Sequence, residues 1–131
     1  MKYFTLKELT RSATAEAKGI DNTPTPEVEK NLTLLVENVL DPLRKLSGKP
    51  ITVNSGYRCQ ELNKAVGGSK TSDHVKGFAA DITGGSKEEN ERLFYLIKYN
   101  FNFKQLIDEK DFSWVHVSYD PSNLKNQILK L

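Results

Sequence analysis

The segment from Pro26 to Leu46 constrains the fold most. Val28, Leu32, Leu35, Val36, Val39, Leu40, Leu43 and Leu46 recur at spacings of three and four and form one continuous apolar stripe. A stripe of that length requires a helix laid along a core. Thr25 is the expected N-cap, and Pro26 suits the first helical turn, where a missing N–H leaves nothing unpaired. Pro42 falls inside the pattern and is expected to kink the helix or divide it, because its ring removes a donor and crowds the preceding turn.

The segments around this helix predict shorter elements. "FTLKELTRSATAEAKG" has Thr5 and Glu8 at capping-box spacing and ends at Gly19, which predicts a short helix. "ITVNSG" is a β-prone run, "CQELNKAVGG" a short helix stopped by glycines, and "GFAADIT" a strand entered from the polar loop that holds His74. "SKEENERLFYLIKYN" predicts an amphipathic helix capped by Ser86, with Leu93, Leu96 and Ile97 inward. "KQLIDE" and "SWVHVSY" then predict two closing strands, and 120–131 is left as a C-terminal tail. Helices first, then short strands mixed with helices, point to an α+β domain spanning 1–131, with helices packed on one small, mainly antiparallel sheet.

Nineteen basic residues are scattered among seventeen acidic ones for a net charge of +2, so no basic stripe points to nucleic acid or to a membrane surface. No stretch is apolar for long enough to span a bilayer, and the N-terminus lacks the apolar core of a signal peptide. Cytoplasmic synthesis and a monomer are expected. Cys59 is the only cysteine, which excludes an intramolecular disulfide.

The two histidines are therefore the most informative residues. In "SWVHVSY" the alternation of a strand sends Trp114, His116 and Ser118 to one face and Val115 and Val117 to the other. Asp81 lies on the predicted strand "GFAADIT", and His74 can reach the same place from the loop before it. Two imidazoles and one carboxylate on separate elements supply three ligands for zinc and leave a fourth position for water, the count of a catalytic site. The spacing is not a local helical motif, so by itself it leaves open a surface or core role for each histidine. Trp114 and Tyr119 read most simply as core, and Phe94, Tyr95, Phe101 and Phe103 as packing between the last helix and the sheet.

The order "ITVNSGYRCQELNKAVGG", "SDHVKGFAADI", "QLIDE", "WVHVSY" resembles the zinc peptidases that cut bacterial cell-wall peptides. These are the D-Ala-D-Ala carboxypeptidases and the L-alanyl-D-glutamate endopeptidases of phage endolysins, and the compact phage and bacterial branch is the most similar. The opening "FTLKELTRSATAEAKGIDNTP" and "VLDPLRKLSGKPI" also resemble that branch, so the likeness runs from about Tyr3 to Tyr119. It implies a hedgehog-like zinc fold, one Zn2+ per chain held by His74, Asp81 and His116, and a peptidoglycan stem peptide as partner. Arg58 of "SGYR" matches the arginine that binds and polarises substrate. Ser72 matches a serine lining the site, and Tyr57 is taken with them as substrate-binding. Phage lysins commonly leave the cell through a separate membrane pore, which fits the lack of a leader.

In several relatives an acidic residue stands three positions before the last histidine, where this chain has Ser113. Two carboxylates remain as candidate general bases. Glu109 ends a strand on the face of Gln105 and Ile107 and matches the acidic residue of the "QLI-x-E" motif, whereas Asp111 lies in the following turn. A strand end holds a carboxylate more reproducibly than a turn tip, which favours Glu109. Asp108 should point to the opposite face, and both it and Asp111 read as solvated. Because the hedgehog signalling domain keeps the same kind of zinc site while serving as a ligand, a zinc-stabilised binding module remains the alternative function.

Overall fold

The capping box at Thr5 forms as predicted: its side chain accepts from the Glu8 N–H while the Glu8 carboxylate receives the Thr5 N–H. The computed structural model describes residues 1–131. In place of one N-terminal helix there are two, α1 (Leu6–Thr10) and α2 (Ala13–Lys18). The break falls at Ser12, whose extended backbone and hydroxyl, accepting from the Ala15 N–H, start a new helix. Gly19 ends α2 in the left-handed conformation, as the sequence indicates.

The long stripe becomes α3 (Pro26–Leu35), a π-helical turn (Val36–Leu40) and α4 (Asp41–Ser47). The segment is divided, as expected, with Pro42 in the first turn of α4. The widened turn just before it, in which the Asp41 N–H reaches back to the Val36 carbonyl, makes room for a residue without a donor. The inward face then follows Leu40, Leu43 and Ser47, so Leu46 turns outward and is 48% exposed, contrary to the stripe read from the sequence. Ser47 is held instead by Arg92, which donates to both its hydroxyl and its carbonyl.

Next come β1 (Thr52–Ser55), α5 (Gln60–Ala65), a 3-10 turn (Asp73–Lys76), β2 (Ala79–Thr83), α6 (Lys87–Asn100), β3 (Gln105–Glu109), β4 (Trp114–Ser118) and β5 (Gln127–Lys130). The sheet order is β1-β2-β4-β3-β5, antiparallel except for β3 with β5. The α+β architecture with a mainly antiparallel sheet is therefore as expected. β5 was not: it lies in the segment read as a tail and pairs in parallel with β3. No helix is long and apolar enough to cross a membrane.

One face of the sheet, with Ala80, Ile82, Leu106, Val115 and Val117, packs against Leu32, Leu35, Val36, Val39, Leu40 and Leu43 of the long helical segment and against Leu93 and Ile97 of α6. Phe94 and Phe103 join this core and Phe101 packs at its margin, whereas Tyr95 is 41% exposed and stacks on Tyr99. Tyr95 sits one step of about 100° around the helix from Phe94, enough to leave the inward face. The opposite face of the sheet carries the polar residues considered next.

Candidate metal centre and its cleft

Strand register brings the predicted ligands together. Asp81 of β2 is opposite His116 of β4, and Ile107 of β3 is opposite His116 on its other side, so all three share a face. His74 comes from the 3-10 turn, where Ser72 acts as cap by accepting from the His74 N–H. Gly77 ends that turn at φ +77, and a Cβ there would sit 2.9 Å from the Val28 carbonyl oxygen. Close approach to α3 thus demands glycine before the chain enters β2. A partly buried ion pair of 2.8 Å between Lys104, just before β3, and Asp73 ties the same turn to the sheet.

The donor atoms converge. His74 Nε2 lies 3.4 Å from Asp81 Oδ2, His116 Nδ1 lies 2.9 Å from Asp81 Oδ1, and the two imidazole rings are 5.1 Å apart. Candidate donor atoms of the three residues all lie within 4.8 Å of one another. A tetrahedral zinc site with bonds of about 2.0–2.2 Å separates its donors by roughly 3.4 Å, so the set fits that ion with slight side-chain adjustment. The tautomer of His74 is also fixed. Its Nδ1 is 2.7 Å from the Gly56 carbonyl, which can only accept, so Nδ1 carries the proton and Nε2 presents its lone pair to the centre. Gly56 is indispensable to that contact, because a Cβ there would fall 2.2 Å from the Leu9 carbonyl oxygen.

Burial pushes the Asp81 carboxyl up, but its contacts with the His116 and His74 rings together outweigh it and hold the group well below the usual carboxylate range. It is an anion throughout the neutral range, as a ligand must be. Glu109 behaves oppositely: burial, with a smaller contribution from the Asp81 charge, raises its pKa despite the opposing pull of His116.

A cleft of about 430 Å³ opens over the centre, bounded by Arg58, Ser72, His74, Asp81, Glu109 and Trp114 among others. Glu109 is opposite Trp114 in register and on the face of His116, as the two-residue alternation requires. Asp111 is absent from the cleft wall; its carboxylate is 68% exposed and bonds Lys87 at 2.7 Å. Asp108 points to the other face, as expected, but is buried rather than solvated, accepting from the Phe112 N–H. That bond closes a turn in which Lys110, Asp111 and Phe112 all have positive φ.

Arg58 makes no ion pair. Burial lowers its pKa, Asp81 raises it in opposition, and the guanidinium stays charged. Its Nη2 is 3.5 Å from Ser72 Oγ, and its Nε is buried without a partner. Ser72 thus contacts Arg58 and the His74 backbone. Tyr57 lies outside this cleft and lines a neighbouring one. Trp114, read as core, instead faces the cleft with a buried indole N–H that has no partner, because it shares the strand face of His116; Tyr119 does pack against the core.

Asn90 is a positioning residue that the sequence concealed. Buried on α6, it accepts from Thr83 Oγ1 and the Gly84 N–H and donates to the carbonyls of Phe112 and Ser113. It therefore fastens the end of β2 to the turn that follows Glu109. An asparagine in a polar-rich helix carries no sign of four distant partners.

The sequence profile described as peptidase M15 matches residues 2–118. The chain belongs to the peptidase M15 family. It is also 36% identical over 85 residues to the zinc D-Ala-D-Ala carboxypeptidase of Streptomyces albus G. The alignment spans 64% of this chain and 32% of that longer relative.

Proposed function

We propose that this protein is a zinc-dependent peptidase that hydrolyses a peptide bond in the stem peptides of bacterial peptidoglycan. The observation that carries the reading is the convergence of His74 Nε2, Asp81 and His116 beside Glu109 in one open cleft. Family membership and the carboxypeptidase relative support it. His74, Asp81 and His116 would hold one zinc ion. When bound, that ion supplies Lewis acidity, which brings the pKa of water down towards about 7 and polarises a carbonyl.

The side chains perform the remaining steps. Glu109 takes a proton from water as the water oxygen bonds to the peptide carbonyl carbon. It then gives a proton to the departing amine nitrogen as the C–N bond breaks. A carboxyl whose pKa is raised is suited to both transfers, since its affinity for the proton lies nearer the operating pH. Arg58, a half-buried cation without an ion pair, donates hydrogen bonds to the oxygen on which negative charge develops. Asp81 keeps the two imidazoles oriented, and His74 is locked by Gly56. The thiol of Cys59 has no histidine to activate it, and its sulfur instead caps α5 by accepting from the Leu62 N–H.

The bond cut is that of a D-Ala-D-Ala carboxypeptidase or of an L-Ala-D-Glu endopeptidase of the endolysin kind, and digestion of purified peptidoglycan separates the two. New D-alanine, or new N-terminal D-glutamate, is expected in the fragments with zinc present and is expected to vanish with a chelator. Unchanged peptidoglycan across several cell-wall types would favour the zinc-stabilised binding module instead.

A further inference from the structure

A second cleft, of about 510 Å³, adjoins the metal cleft, and Arg58 and Val66 line both. One wall is β1, the edge strand of the sheet, with Thr52 and Asn54 exposed along it. The other is the junction of α1 and α2 at Arg11 and Ser12. The two walls are fastened together. The Tyr57 N–H donates to the Leu9 carbonyl at 2.7 Å. Asn22 bonds the carbonyls of Thr10 and Tyr57 and accepts from the Cys59 N–H. The cleft is therefore preformed.

Several of its polar side chains are free to bind a ligand. The Tyr57 ring is buried, and its hydroxyl makes no hydrogen bond within the protein but stays open to solvent. Arg11 and Arg58 supply two guanidinium groups, and Glu16 the one carboxylate; none of the three is in an ion pair. An unpaired phenol in a cleft that also holds two guanidinium groups suits a ligand that brings both a carboxylate and hydrogen-bonding groups. An edge strand adds free backbone N–H and C=O groups for an extended peptide.

Resting on the peptidase reading, we infer that this second cleft is a substrate subsite. It takes a carboxylate-bearing residue of the peptide beyond those flanking the cut bond, with the hydroxyl of Tyr57 and the guanidinium of Arg11 as the groups that read it. The peptide then runs from the metal cleft past Arg58 and Val66 along β1. Selectivity for an acidic residue within a longer stem peptide follows.

The test compares Tyr57→Phe and Arg11→Gln with the parent zinc-loaded protein on three peptides. One is a long stem peptide with a free carboxylate on a residue that does not flank the cut bond, one is the same peptide with that group as a carboxamide, and one is a short blocked peptide spanning only the cut bond. The ratio of kcat/KM for the free-carboxylate peptide to that for the short one is expected to fall about tenfold in each variant, through KM. The parent is expected to prefer carboxylate to carboxamide. Equilibrium binding of the long peptide to zinc-loaded Glu109→Gln, with and without the added Tyr57→Phe, reads the subsite apart from turnover and should weaken by a similar factor. An unaltered ratio, equal losses on all peptides, or no change in binding overturns the subsite. Absence of cleavage by the parent alongside tyrosine-dependent binding would instead remove the hydrolytic reading and keep the subsite.

Discussion

Replacing Glu109 with glutamine is expected to lower kcat by about a thousandfold, the scale of losing a well-placed general base. The change is nearly isosteric, so the cleft, the zinc content and the fold should all persist. The metal-free fold should even be slightly more stable at neutral pH. The folded-state pKa of Glu109 is raised, mainly by burial. Its ionisation therefore favours the unfolded chain, and the stability present below its unfolded pKa is lost as pH rises through the folded value. Glutamine carries no such charge. Thermal melts with and without a chelator, beside peptide turnover, check both parts. Substantial activity in Glu109→Gln, with the thousandfold loss in Asp111→Asn instead, would move the base to Asp111. The geometry disfavours that outcome, because Asp111 is exposed, paired with Lys87 and off the cleft wall.

Asp81→Ala should have the other large effect. Asp81 is the only anion in the donor set, and it contacts both imidazoles. Its loss leaves two neutral ligands on the sheet and in the 3-10 turn, too few for a stable catalytic zinc site. Zinc content is expected to fall well below one per chain, and turnover to drop below that of Glu109→Gln. Without metal, His116 Nδ1 also loses its hydrogen-bond partner in a buried setting, which costs about 1–3 kcal/mol of stability. Metal analysis after dialysis, together with a denaturant titration, reads the two effects separately. Full zinc retention in Asp81→Ala would remove it from the ligand set.

The parts of this structure that the sequence reveals are those governed by local rules. Caps at Thr5, Ser86 and Gly19 and the alternation in β3 and β4 depend on residues a few positions apart, so they could be read directly. Alternation placed Glu109 and His116 on one face and Asp108 on the other before any packing was known. The features that escaped depend on partners far along the chain. β5 is four residues long with Ile128 half in solvent, so its periodicity is weak, and pairing with β3 creates it. Trp114 has the composition of a core residue, and only the polar use of its sheet face keeps it at the cleft. Leu46 continues a helical count that the π-helical turn interrupts. The burial of Asp108 and the four bonds of Asn90 arise from the turn between β3 and β4, whose backbone no propensity foretells. The two histidines stood out because no others exist, whereas their grouping with Asp81 rests on strand pairing and on family resemblance.

The central claim is one zinc ion at His74, Asp81 and His116 serving a hydrolytic reaction. Its most direct test is a titration of the metal-free protein with zinc, following peptide cleavage at each addition. Activity should rise in proportion to zinc and stop rising at about one equivalent per chain, the count a single three-ligand site allows. Glu109→Gln should bind the same single equivalent and remain inactive. Cleavage that is full before any zinc is added, or that needs two or more equivalents, would contradict the account.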